Sequence, residues 1–290
     1  MTTRTWIGGG TNNIFSAADW SPAGIPAAGD TLVMLNGTAN LYGGDLTGET
    51  FLFGVAASFS QASPVLNVYN GAKVTLTEGG SGYSASSPTV NVFGRDTVNI
   101  VEASGGQRTV TSKLNLEPQA VLSGSVQIAG YTTLTIQGAT GSSFNNTNTS
   151  IGYNSVATID ANVIGIGSFN LIFYSGAEFG GSVSQGQTLN LANGSTDYKI
   201  DHPSEFYGTI NWLVAPSAYD ASVDLLNITA DSYKFSNNQL TLFAGNTIVD
   251  RLHLNGSSGA FGVYGVSGGV TLQSIGTPVG SGEILLPVHA

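Results

Sequence analysis

Three short triplets, "LNV" at 66–68, "VNV" at 90–92 and "LNL" at 114–116, recur at an interval of 24 residues. A second series, "VTL" at 74–76 and "VNI" at 98–100, keeps the same interval. Each triplet reads apolar, polar, apolar, the period-2 pattern of a strand with one buried face. Gly or Asn turns separate the two series, as in "YNGAKVTL" and "FGRDTVNI". The pattern loosens but continues through "VQI" (126–128), "LTI" (134–136), "VATI" (156–159), "FNLIF" (169–173), "LNL" (189–191) and "YKI" (198–200). Short strands at this spacing, with no helical stretch between them, describe the coils of a β-solenoid. One coil cannot bury its inner face, and stacking on its neighbours closes a continuous core. A β-sandwich would alternate similarly but would not predict a fixed register between like triplets. The sequence therefore predicts an all-β chain, a right-handed parallel β-helix with coils of about 20–25 residues and capped ends. It divides into an N-terminal cap and first coils (1–60), a central β-helix (61–200) and a C-terminal β module (201–290) continuous with the solenoid.

A solenoid has two open ends, and each exposes strand edges that invite aggregation. The opening stretch "WIGGGTNNIFSAADWSPAGIPAAGDTLVM" (6–34) reads as the cover of the first end. Trp6 and Trp20 fold over the open core, Asn12, Asn13 and Asp19 make Asx-type turns, and Pro22 and Pro26 stiffen the crossing. The structural reading of the two tryptophans is favoured over sugar stacking.

Composition narrows the function. Charged residues make up 9% of the 290 residues, against roughly 25% in an average soluble domain. The net charge is −10, and the eight basic residues are scattered singly. No basic patch addresses a nucleic-acid backbone, and no apolar run reaches the length of a membrane span. The absence of cysteine excludes disulfides, thiolate metal sites and a cysteine nucleophile. "MTTRTWIGGG" shows no signal-peptide apolar region, so the export route is not read from this chain.

The opening segment resembles that of bacterial secreted and autotransporter-like β-helix proteins, in the pattern W-x-G-G-x-x-N, then W-S-x-G-x-P-x-x-G-D-T. The stretch 206–272, from "FYGTINW" to "GGVTL", is similar to a module near the C-termini of large secreted bacterial repeat proteins. The resemblance implies an extracellular β-solenoid, an adhesin-type passenger or surface-layer component. The chain departs from the family in lacking calcium-binding GGxGxD repeats, of which "GGDLTG" (43–48) is a fragment, and a membrane barrel after the helix.

Parallel β-helices can also carry carbohydrate chemistry, which needs titratable groups projected into one cleft. The densest local cluster is "DYKIDHPSEFYG": Asp197, Asp201 and Glu205 are the candidate acid or base, with Tyr198 and Tyr207 as sugar platforms. A solvated loop joining two modules is the plainer reading, since Pro203 supports a turn. In "NTIVDRLHL", alternation turns Asp250 to the side of Leu252 and sends Arg251 and His253 to the other, so the three do not converge. Asp220 or Asp224 caps a turn in "YDASVDLLNI". Asp30, Asp45 and Glu49 carry the oxygen ligands calcium needs, but their spacing does not favour it over turn chemistry. His202, His253 and His289 share no metal-ligand spacing. No cofactor motif is present. If the triplets stack, Asn67, Asn91 and Asn115 form an outward amide ladder, with Thr75 and Asn99 on a neighbouring face. The sequons at Asn36, Asn145, Asn148, Asn193, Asn227 and Asn255 read as turn chemistry.

The leading expectation is a non-catalytic extracellular bacterial protein, adhesin-like or surface-structural. The alternative is a glycan-binding or glycan-degrading, tailspike-like protein. An enzyme would need two or more carboxylates and a Lys or Arg on one face. A glycan binder would show exposed aromatics on one flank, with Tyr131, Tyr153, Tyr174 and Tyr198 as candidates. Polysaccharides or cell-surface glycans are the expected partners, self-association is open, and neither nucleic acid nor membrane insertion is expected.

Overall fold

Successive strands alternate between two sheets, so that the chain winds as a β-solenoid of stacked parallel coils. This computed structural model describes residues 1–290 except 9–11, 57–60, 81–84, 103–108, 129, 192–195, 213–220, 257–260, 275–283 and 289–290. In the first sheet, Thr31–Met34, Asp45–Ala56, Lys73–Gly80, Arg95–Glu102, Val121–Ile128 and Ser143–Ile151 pair in parallel succession. Gly167–Leu171, Gln187–Leu191 and Thr209–Trp212 extend it. The second sheet takes the alternate strands, from Asn36–Tyr42 and Gln61–Tyr69 through Thr109–Leu116, Thr132–Gly138 and Val156–Ile159 to Gly176–Phe179, Thr196–Ile200 and Ala221–Leu226. Parallel neighbours need a long return connection. Here the opposite sheet is that connection, which is why no helix is required.

The triplets lie in register as their spacing predicts. Asn67 is opposite Asn91, and Asn91 opposite Asn115. Their flanking Leu66, Val68, Val90, Val92, Leu114 and Leu116 are all buried. Asn91 donates its side-chain amide to Asn67 at 2.8 Å, Asn115 donates to Asn91 at 2.8 Å, and Asn67 extends the ladder to Asn40 at 2.8 Å. Asn99 reaches Thr75 on the first sheet at 3.5 Å. A second ladder on that sheet was not read from the triplets: Asn148, Asn170, Asn190, Asn211 and Asn255 join at 2.8–2.9 Å. Asn145, Asn148 and Asn255 therefore stand on strands rather than in turns; Asn193 is outside the described residues.

One hydrophobic core runs from Trp6 to Leu286. Along it, the strand register slips between Gly124 and Ser125. Gly124 has φ 151°, and a Cβ there would collide with the Val98 carbonyl, so the slip requires glycine. Beside it, Asn146 and Gln187 turn inward and satisfy one another: Asn146 donates to Gln187 Oε1 at 2.8 Å, and Gln187 donates to Asn146 O at 3.1 Å. Thr149 donates to Asn146 Oδ1 at 2.9 Å, so this buried polar group is fully connected.

Both ends are covered. Thr3–Trp6 pairs with Trp20–Ser21 and lies along the first sheet, while Asn13 bridges to Asn40 on the second. Trp6 and Trp20 meet edge to face at 5.1 Å, and Trp20 Nε1 donates to Ile14 O at 2.7 Å. Asn13 makes the expected Asx turn, accepting from Phe15 N at 3.0 Å. At the other end the parallel coils give way to antiparallel hairpins. Ser232–Ser236, Gln239–Ala244 and Thr247–Asn255 form a meander on the first sheet, and Phe261–Val266 and Gly269–Ser274 form a hairpin on the second. The last strand, Ile284–Leu285, pairs with Phe261–Val266, and just beyond it Pro287 O accepts from Tyr233 N of the meander at 3.1 Å, linking the two.

Candidate ligand-binding face

The corner leading into the second sheet carries one tyrosine on each of three consecutive coils. Tyr131, Tyr153 and Tyr174 are 39%, 48% and 55% exposed. Their ring centroids are 6.0 and 5.6 Å apart, each pair nearly perpendicular. The backbone sets the row, with Tyr131 N donating to Tyr153 O at 3.1 Å. Tyr131 and Tyr174 hold φ of 58° and 57°, a left-handed conformation that disfavours large side chains. The sequence places a bulky ring where glycine would be free of strain. Ile172 and Phe173, also exposed, widen the apolar corner.

A different aromatic row lies at the far edge of the same sheet. Tyr42, Tyr69 and Phe93 stack at 4.9 and 4.4 Å with planes only 19° and 13° apart. Stacking covers their inner faces, while Tyr42 and Phe93, at the ends of the row, stay 52% and 42% exposed. In the perpendicular row each of the three rings keeps exposed surface.

From Tyr174 the surface descends into a groove of about 430 Å³ lined by Glu178, Asp197, Lys199 and Ser222. Its geometry follows from the register. Glu178 is opposite Lys199 on the next strand, and Lys199 is opposite Asp224 on the one after. Each occupies the outward position of an apolar–polar–apolar triplet, "AEF", "YKI" and "VDL". Asp197 stands two residues along, opposite Gly176, whose missing side chain opens the groove. The Ser222 hydroxyl donates to Asp197 Oδ1 at 2.8 Å, and the Thr271 hydroxyl to Asp224 Oδ1 at 2.8 Å.

Burial pushes the Asp197 carboxyl above the usual aspartate range. Repulsion from Asp224 adds to the rise, the Ser222 bond and Lys199 oppose it, and Glu178 reinforces it more weakly. Such a carboxyl can hold and donate a proton nearer neutrality than an exposed one. Carboxylates and a lysine thus converge on one face.

The residues singled out from sequence divide. Asp197 lines the groove, but Asp201 and Glu205 do not. Asp201 lies past the end of its strand, and Glu205 sits in the turn Pro203–Glu205, where the chain leaves for the other sheet. Adjacency in sequence is undone by a corner of the coil. Tyr198 is 0% exposed, its hydroxyl bonded to Phe169 O at 2.9 Å and Asn190 O at 3.2 Å. Its ring is core and offers no surface for stacking. Tyr207 is exposed, on the first sheet's side. Asp224 is on a strand and caps no turn, while Asp220 is outside the described residues.

Asp250 points inward with Leu252, and Arg251 and His253 point outward. Asp30 accepts from Arg4 Nε at 2.9 Å and from Thr2 N at 2.8 Å, and Asp45 accepts from Thr47 N at 2.9 Å. These carboxylates serve local structure. Among the described residues no group of three His, Asp or Glu is placed to hold a metal ion, and no helix is long and apolar enough to cross a membrane. His289 is outside the described residues.

Glu178 does not stand out in the sequence and Asp224 reads there as a candidate turn residue, although their triplets match the one that marks Asn67, Asn91 and Asn115. No family model, no curated protein and no solved structure matches this chain.

Proposed function

We propose that the chain is a non-catalytic, adhesin-like β-solenoid that acts outside a bacterial cell and binds glycan along the tyrosine flank and its groove. The observation that carries this reading is the row Tyr131–Tyr153–Tyr174, one exposed ring per coil. Aromatic faces pack against the apolar faces of sugar rings, while nearby polar groups fix orientation. A row with one ring per coil repeats on the scale of one pyranose unit, so it suits a linear polymer better than a single sugar. The charge-poor, cysteine-free composition fits an extracellular scaffold.

The convergence of Glu178, Asp197, Asp224 and Lys199 favours a second reading, cleavage of the bound glycan with Asp197 as proton donor. One experiment reads both. The purified protein is incubated with immobilised bacterial and plant polysaccharides, and retention is followed together with new reducing or unsaturated ends. Retention that falls in a Tyr153→Ala/Tyr174→Ala variant, without new ends, is the expected result. New ends that vanish with Asp197→Asn would establish the catalytic reading. Retention of no polymer, or equal retention by the variant, overturns the proposal.

A further inference from the structure

A second groove lies on the opposite sheet, at the junction of the last parallel coil with the C-terminal meander. It encloses about 610 Å³ and is lined by Ser184, Gln185, Tyr207, Gln239, Arg251 and His253 among others. The strand Thr247–Asn255 supplies Arg251 and His253 on its outward side, and Gln239 is directly opposite His253. Tyr207 stands beside them, 59% exposed.

The groove's charge is opposite to that of the first. Its ionisable side chains other than tyrosine are Arg251 and His253, and no carboxylate lines it. In a chain of net charge −10 with eight basic residues, this is an unusual grouping. Arg251 is exposed, and among the described residues no carboxylate pairs with it. The adjacent Asp250 is turned into the sheet, its Oδ1 accepting from the Arg251 backbone N–H at 2.8 Å. An unpaired guanidinium is a planar fork matched to a carboxylate. Tyr207 supplies a ring for an apolar sugar face, and the Gln185, Gln239 and Ser184 side chains supply hydrogen bonds for hydroxyls.

We propose that this groove binds an acidic sugar, a uronic-acid unit whose carboxylate sits on Arg251 and whose ring lies against Tyr207. The site is separate from the tyrosine flank and stands whether or not that flank binds glycan.

The test uses a mannuronate tetrasaccharide and its methyl ester, which keeps the shape and removes the charge. Binding to the full chain is followed by calorimetry and by the amide resonances of Arg251, His253 and Tyr207. The expected result is binding of the acid, weakened at least about tenfold by Arg251→Gln and less by Arg251→Lys, with the ester weakened likewise. Tyr207→Ala provides a second variant at an exposed position. An Arg251→Gln variant with an altered unfolding midpoint transfers the decision to Tyr207→Ala and to the ester. The proposal is overturned if the acid does not bind, if ester and acid bind alike, or if shifts fall only on the tyrosine flank. Tighter binding of a sulfated tetrasaccharide would overturn the choice of carboxylate. Unchanged tyrosine-flank binding in Arg251→Gln separates this site from the first.

Discussion

Ser222 donates its hydroxyl to Asp197 at 2.8 Å across two adjacent parallel strands, 25 residues apart in the chain. The bond holds a carboxyl whose burial, with Asp224 nearby, raises it above the ordinary value. Between the unfolded value, about 3.9, and the raised folded one, the native state binds more protons than the unfolded state. Stability is therefore fully present below the unfolded value and is lost as pH rises through the folded one. Asn mimics the neutral carboxyl and keeps the acceptor for Ser222. Asp197→Asn is expected to unfold at a higher temperature than the parent at neutral pH, with the gap closing below about pH 4. Thermal melts at both pH values check this, and a variant less stable at neutral pH would contradict the sign.

Asn91 occupies the middle of the amide ladder, donating to Asn67 and accepting from Asn115. Asn91→Ala removes both bonds and leaves two half-buried amides each short of a partner. The expected loss is about 1–2 kcal/mol. Asn255, at the exposed end of the other ladder, donates to Asn211 and is the terminal member among these contacts. Asn255→Ala is expected to cost about half as much. Urea unfolding of the two variants measures the difference, and equal losses would show that the ladder does not act through its interior bonds.

The architecture was legible because solenoid stacking writes itself as a constant interval. Asn67, Asn91 and Asn115 announced a register that the backbone keeps. The groove was hidden because the interval drifts: Glu178 and Lys199 are paired 21 residues apart, Lys199 and Asp224 25. A search at fixed spacing loses them, whereas alignment of the triplets recovers them. Tyr198 was misjudged for another reason. Its phase puts it on the side of Ile200, and period 2 sends both inward. The ionisable residues that crowd around it in sequence are separated in space by a solenoid corner. Tyr131, Tyr153 and Tyr174 were legible as candidates, but only the stacked corners show that they form one row.

The N-terminal cover should be acid-sensitive. Asp30 is held below the usual aspartate value, chiefly by the Arg4 side chain and then by the Thr2 backbone N–H. A depressed folded pKa contributes stability above the unfolded value, and that contribution is lost as pH falls through the folded one. Acid should therefore loosen the segment around Trp6 and Trp20 before the coils. Tryptophan fluorescence titrated downward in pH, with far-UV dichroism alongside, separates the two events. Arg4→Gln should loosen the cover at neutral pH and shrink the titration. A titration identical to that of the parent would remove Asp30 as its source.

Gly176 offers a test of the groove that leaves the catalytic question aside. Its φ is not left-handed, and the nearest atom to an added Cβ is the Asp197 carbonyl oxygen at 3.4 Å. The strand therefore tolerates a side chain at this position, and that side chain would project beside Asp197 and Tyr174 into the open space. Removing a strand glycine also favours folding by about 0.5–1 kcal/mol. Gly176→Leu is thus expected to keep or raise the unfolding midpoint while abolishing retention on whichever polysaccharide the parent binds. Lost retention with an intact midpoint places the ligand in the groove. Retention equal to the parent's would confine the ligand to the tyrosine row, because a filled groove would then have cost nothing.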